Sequence, residues 1–128
     1  MISSQDIEKV QEKARQIKAL VIGDAMLDQY IYGAVDRIPP EAPVPVLSHQ
    51  RTEIKAGGSA NVALNLAAWG CKTTLIGLTG NDLNANKLAS LLEEKHIRHH
   101  FVRSESRPTT IKTRVVASSH HLLRIDEE

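Results

Sequence analysis

Apolar positions at Ile7, Val10, Ala14 and Ile17 recur at helical spacing, and Ser3 with Asp6 resembles a capping box, so residues 3–16 read as a helix. The period then changes. Ala19-Leu20-Val21-Ile22 is an unbroken apolar run, which predicts a buried strand, and Gly23-Asp24 is expected to end it in a loop. Tyr30, Tyr32 and Val35 suggest a second extended piece. Pro39, Pro40, Pro43 and Pro45 exclude a helix and favour an edge or polyproline-like path, with an edge strand expected over 44–50.

Beyond Gly57-Gly58 the alternation of elements is clearer. An Ala- and Leu-rich helix is expected over 60–69, with Gly70 as its C-cap. Thr73 to Leu78 reads as a strand, Thr79-Gly80-Asn81-Asp82 as a turn and helix cap, 83–94 as a helix and 97–102 as a short strand. This order predicts an α/β fold, a parallel sheet flanked by helices. Residues 109–117 and 120–126 read as two strands around Ser118-Ser119, a hairpin expected to project as a flap rather than join the central sheet. With so few strands before Glu128, the doubly wound sheet is expected to be incomplete.

Composition narrows the function classes. Lys plus Arg is 16 against 15 Asp plus Glu, without the basic excess of a nucleic-acid binder. Cys71 is the only cysteine, which fits a reducing compartment. No apolar run approaches the about 18 residues that span a membrane, and the N-terminal residues are too charged for a signal peptide. A cytoplasmic protein without nucleic-acid or membrane partners is the expectation.

Two adjacent glycines opening a helix allow a sharp bend and leave backbone N–H groups available at its first turn. With Asn61 one turn in, Gly57-Gly58 suits a polar, oxygen-rich small molecule; a plain tight turn is the alternative. Asp24 and Asp28 follow the first strand, where open α/β sheets bind ligands, and a carboxylate accepts two hydroxyls of a sugar diol well. Loop capping is the other account of both. Asn65 shares the helical stripe of Asn61 with Trp69, for which packing against a neighbour is expected. Lys112 and Arg114 alternate along one strand and share a face, where with Arg107 they suit an anionic group or serve as ordinary surface charge. The five histidines between His96 and His121 lack zinc-site spacing and are expected to be exposed, and Cys71 to be a buried thiol. Neither G-x-G-x-x-G nor G-x-x-x-x-G-K-[ST] occurs.

Gly57-Gly58-Ser59-Ala60-Asn61-Val62-Ala63, followed by Gly70 and Gly80, resembles the N-terminal signature of the ribokinase-like, PfkB-type carbohydrate kinases; Ser59 departs mildly from the usual Gly, Ala or Pro. Within that family, residues 21–30, Arg37-Ile38-Pro39-Pro40-Glu41-Ala42-Pro43-Val44-Pro45-Val46, residues 107–114 and Leu122-Leu123-Arg124-Ile125-Asp126 resemble the heptose 7-phosphate kinases. Lys55 stands where that subgroup often has proline. The resemblance implies an incomplete ribokinase-like Rossmann-type sheet, with residues 1–128 as the N-terminal, sugar-binding portion. It implies a β lid over about 30–48 and 109–126 that closes on the sugar and joins a homodimer.

By the same resemblance Asp28, Gly57, Gly58 and Asn61 bind the sugar, Asp24 and Asn65 are further candidates, and Lys112 and Arg114 lie near a 7-phosphate. The implied reaction transfers the ATP γ-phosphoryl group to the C1 hydroxyl of D-glycero-β-D-manno-heptose 7-phosphate, for ADP-heptose and lipopolysaccharide core synthesis, often in a chain that also carries an adenylyltransferase domain. ATP and Mg²⁺ are the implied cofactors. Their principal sites, and the catalytic base, belong to a Gly-Ala-Gly-Asp motif that these residues do not contain, so no catalytic residue is assigned here. A related kinase for another sugar, or a silent sugar-binding or dimerisation module, remains the alternative.

Overall fold

A computed structural model describes residues 1–38 and 40–128; Pro39, one of the four prolines weighed above, and the side chain of Arg37 lie outside the described residues. The chain forms α1 (Ser4–Ala14), β1 (Lys18–Arg37), β2 (Val46–Gly58), α2 (Ser59–Ala68), β3 (Lys72–Gly80), α3 (Leu83–Glu93), β4 (Arg98–Ser104), β5 (Ile111–Ala117) and β6 (His120–Glu127). The expected capping box is present, with the Ser3 side chain accepting from the Asp6 N–H and the Asp6 carboxylate from the Ser3 N–H. The six strands run in the order β4-β3-β1-β5-β6, with β2 on β1 off that path.

The main departure from expectation is in β1, which does not stop at Gly23-Asp24. It is one strand of 20 residues that belongs to two ladders in succession. Lys18 to Asp24 pairs in parallel with β3, which pairs in parallel with β4. Ala25 onward pairs antiparallel with β2, and Leu27 to Gly33 pairs in parallel with β5. The hairpin of β5 and β6 is therefore hydrogen-bonded through β1 to the main sheet rather than detached from it. Its turn at Ser118 and Ser119 has positive φ at both residues, as a two-residue primed hairpin turn requires.

Alternation along a strand explains where the core sits. Ala25 and Leu27 of β1 point with Ala56 of β2 and Leu75 of β3 toward α2 and α3, whose Ala60, Ala63, Leu88 and Leu92 are fully buried. On the other face of the main sheet, Leu20, Ile22 and Val102 are exposed. Trp69, expected to pack, is also half exposed at the end of α2, because it falls outside the stripe that faces the sheet. Cys71 is only partly buried.

A small polar network ties β5 to this core. The Asp82 carboxylate accepts from the Ala85 N–H at 2.9 Å, capping α3, and from the Thr109 N–H at 2.8 Å and the Thr109 hydroxyl at 2.7 Å. Thr109 Oγ1 in turn accepts from the Gly80 N–H at 3.0 Å, and Thr109 is 1% exposed. Next along the chain, the Leu27 N–H donates to the Thr110 carbonyl, where β5 joins β1. Burial pushes the Asp82 carboxyl upward, but the donated hydrogen bonds from Thr109 and the first turn of α3 outweigh it and hold the pKa below its ordinary 3.8.

A carboxyl whose pKa is depressed by folding contributes stability above its unfolded value and loses it as pH falls through the folded one. Asp82→Ala is therefore expected to lower unfolding stability at pH 7 by about 2–4 kcal/mol, the worth of a lost cap and two further hydrogen bonds. In urea titrations the gap from the unsubstituted chain should shrink as pH is taken below 3.8. A gap that is the same at pH 7 and in acid would contradict an ionised Asp82 at the clamp.

Candidate functional site

The second half of β1 carries the candidate residues because its even positions share one face. Asp28 lies in register with Lys55 of β2 and Lys112 of β5, and Lys112 with Asp126 of β6. The next row on the same face sets Tyr30 beside Glu53 and Arg114, and Arg114 beside Arg124. Asp28 of β1 and Lys112 and Arg114 of β5, remote in sequence, are thus brought together by the pairing of β5 with β1. Arg114 Nη1 donates to Asp28 Oδ1 at 2.5 Å, and both side chains keep about a fifth of their surface exposed (21% and 23%). That bond, ahead of the opposing effect of burial, raises the guanidinium pKa further.

Asp126, not singled out from the sequence, accepts from Lys112 Nζ at 3.2 Å and from Arg124 Nε at 2.9 Å. Burial raises its carboxyl, but Lys112 and Arg124 together hold it below the ordinary value. Arg124 was also missed, although it lies in a quoted string. A plain hairpin closed at Ser118-Ser119 would set Arg114 opposite Leu123; an irregularity between Val115 and Val116 shifts the register and sets it opposite Arg124. Arg107 instead donates to the Thr110 hydroxyl, so it is not part of this cluster.

Gly57 and Gly58 close the site from β2. A Cβ on Gly57 would stand 2.5 Å from Asp28 Oδ2, so the missing side chain is what gives the carboxylate its place. Gly58 is the N-cap of α2 with φ 57 and ψ −133 and makes no side-chain cap hydrogen bond. A Cβ there would meet the Asp24 carbonyl at 2.5 Å. The first N–H groups of α2 are therefore presented beside Asp28 without a side-chain cap. Asn61 and Asn65 are exposed on α2, and Asp24 is exposed on the β1 face that also carries Asp28. The arrangement combines a carboxylate, helix N–H donors and cations, which together suit a polyhydroxylated anion.

Elsewhere the chemistry is plainer. A cavity of about 640 Å³ lies at the opposite end of β1, lined by Lys18, Lys72, Lys95, Arg98 and Cys71 among others. Lys72 and Lys95 follow the C-termini of α2 and α3, where cations complement the helix dipole. His99 is not exposed as expected but stacks on Phe101 and bonds Glu93 at 3.0 Å. Among the described residues no group of three or more His, Cys, Asp or Glu could hold a metal, and no helix is long and apolar enough to cross a membrane. Of the carboxylates here, Asp28 is engaged by Arg114, and Asp126 by Lys112 and Arg124.

The pfkB family carbohydrate kinase model matches residues 16–127, and the chain belongs to that family. It is 48% identical over 118 residues to the bifunctional protein HldE of Hyphomonas neptunium, covering 91% of this chain and 24% of that protein. It is likewise 48% identical over 113 residues to HldE of Pseudomonas aeruginosa, covering 88% and 24%. The chain thus spans about a quarter of the length of these relatives. Among solved structures, a carbohydrate kinase from Agrobacterium tumefaciens superposes with a TM-score of 0.70 at 19% identity, over 87% of this chain and 35% of that one. A sugar kinase from Pyrococcus horikoshii in complex with ATP gives 0.60 at 22% identity, over 85% and 33%. At these identities the structures speak for the fold, an incomplete ribokinase-type α/β architecture.

The two glycines are not equivalent. Gly58→Ala must hold a side chain in backbone space open essentially to glycine, and is expected to cost about 1–3 kcal/mol before its clash with the Asp24 carbonyl is counted. Gly57→Ala meets the movable Asp28 side chain instead, and should cost less stability while displacing the carboxylate. Denaturant midpoints of the two variants check the order, and a Gly57→Ala loss equal to or above that of Gly58→Ala would contradict it.

Proposed function

We propose that this chain is the sugar-binding portion of an ATP-dependent kinase for a phosphorylated heptose. The reading is that the complete enzyme transfers the ATP γ-phosphoryl group to the C1 hydroxyl of D-glycero-β-D-manno-heptose 7-phosphate, in ADP-heptose and lipopolysaccharide core synthesis. The observation that carries it is the placing of Asp28 beside the Gly57–Gly58 turn on one hand and beside Lys112 and Arg114 on the other. The kinship with HldE proteins supports the choice of heptose over other sugars.

In this reading each residue has a binding role. Asp28 accepts hydrogen bonds from sugar hydroxyls, and the N–H groups beside Gly58 with Asn61 donate to sugar oxygens. Lys112 and Arg114 meet the 7-phosphate, and Asp24 and Asn65 border the same opening. These groups orient the acceptor and help exclude water; ATP, when bound with Mg²⁺, supplies the phosphoryl group, and neither is assigned to a residue here. Asp28 is read as a binding residue, with one carboxylate oxygen accepting from Arg114 and the other left for the sugar. The other face of the lid exposes Leu123 and Ile125 on β6, which supports joining to a second copy through the lid.

The test is made on the full-length polypeptide with heptose 7-phosphate, fructose 6-phosphate and ribose as acceptors. Heptose 7-phosphate should give the highest kcat/KM. Asp28→Ala should lower that value by about a hundredfold, the worth of charged hydrogen bonds to the acceptor, while leaving the KM for ATP near its original value. An Asp28→Ala enzyme with unchanged kcat/KM for the sugar would remove Asp28 from the site, and a preference for ribose would overturn the substrate.

A further inference from the structure

The charges of the lid form an ordered grid with one irregular position. Across the row through Asp28 the signs alternate: Lys55, Asp28, Lys112, Asp126. Across the next row they run Glu53, Tyr30, Arg114, Arg124, so two guanidinium groups stand directly opposite each other. Like charges at facing positions destabilise a sheet, and opposite charges stabilise it. Arg114 is drawn toward Asp28, and Arg124 is held along its own strand by Asp126, through Nε at 2.9 Å and Nη2 at 3.1 Å.

Those bonds orient the two forks without using them up. Arg114 spends Nη1 on Asp28 and the Lys112 carbonyl, and Arg124 spends Nε and Nη2 on Asp126. Further N–H donors on both remain, and Lys112, in the neighbouring row of the same face, is held through Nζ at 3.2 Å by Asp126 and 3.9 Å by Glu128. The Arg124 side chain is 58% exposed, so it is open to a ligand from solvent. Tyr30 and Asp28 close the inner side of the cluster, with the Arg114 guanidinium 5.3 Å from the Tyr30 ring centroid. A tetrahedral oxyanion with several acceptor oxygens is the group that bridges two opposed guanidinium forks and an ammonium.

We infer that Arg124 is a specificity-determining residue that binds the phosphate monoester of the acceptor together with Lys112 and Arg114, and that Asp126 is its positioning residue. This rests on the reading of the site as one for a phosphorylated sugar. Asp28 and Asp126 each offset one of the facing arginines, and the substrate phosphate supplies the further anion that the spare donors of both can share.

The experiment compares full-length polypeptide with its R124Q and R124K variants, using heptose 7-phosphate and the same heptose without its phosphate. The original enzyme should prefer the phosphorylated acceptor. R124Q should lose about ten- to a hundredfold in kcat/KM for heptose 7-phosphate through KM, with little change for the unphosphorylated heptose, and R124K should recover part of the loss. Melting temperature with and without inorganic phosphate gives a second readout: phosphate should raise it in the original protein and raise it less in R124Q. Equal losses on both acceptors, or an unchanged response to phosphate, would reduce Arg124 to a countercharge for Asp126 and overturn the inference. If the original enzyme fails to prefer the phosphorylated heptose, the reading of the site fails instead.

Discussion

The ladder of hydrogen bonds along β1 is the constraint on which the rest depends. A strand has two edges, and this one uses both along its second half and changes partner on the way. Because side chains alternate with a fixed period of two, one uninterrupted strand carries its facing from the ladder with β3 into the ladders with β2 and β5. Leu20, Ile22 and Asp24 therefore lie on the same side as Asp28, Tyr30 and Tyr32, while Val21, Ala25 and Leu27 lie toward the helices. Any slip of register before Asp24 would turn the charged positions of the second half of β1 onto the helix side, where Ala60 and Ala63 are fully buried.

The Asp82–Thr109 clamp supplies what β1 alone does not. β5 pairs with the part of β1 beyond the end of β3, so the chain between β4 and β5 steps across the end of β3 rather than returning over the sheet. Capping α3 and holding the Thr109 N–H with a single carboxylate fixes that step. The first residue of β5 then falls opposite Leu27, which sets Lys112 beside Asp28 and Arg114 beside Tyr30. A helix cap distant from the candidate site thus decides which cations enter it.

Most elements were legible in the sequence because their periods are local. The helical stripes of α2 and α3, the β-branched run of β3 and the Ser3–Asp6 box each lie within one element. The continuation of β1 through Gly23-Asp24 was not, since those two residues elsewhere signal a turn and only pairing on both edges holds them extended. Asp28, Gly57 and Gly58 were singled out from the strand end, the helix-opening turn and the family pattern, but their mutual packing was not readable, because Asp28 and Gly57 meet only through the β1–β2 register. Arg124 shows the limit most sharply. Its position opposite Arg114 depends on an extra residue of β6, Leu122, set against the Val115–Val116 step, and nothing in His121-Leu122-Leu123 marks one residue as extra.

The Asp28–Arg114 pair is better understood as a device of orientation than of stability. Both side chains keep about a fifth of their surface in contact with solvent (23% and 21%), so screening leaves little net stabilisation from their attraction. What the bond does fix is direction. One carboxylate oxygen is taken by Nη1, and the other faces the space left by the absent side chain of Gly57. In the proposed function Asp28 is thereby held ready to accept from the sugar without having to be ordered at the moment of binding. The same bond draws Arg114 Nη1 toward Asp28 and leaves the other N–H donors of the guanidinium uncommitted.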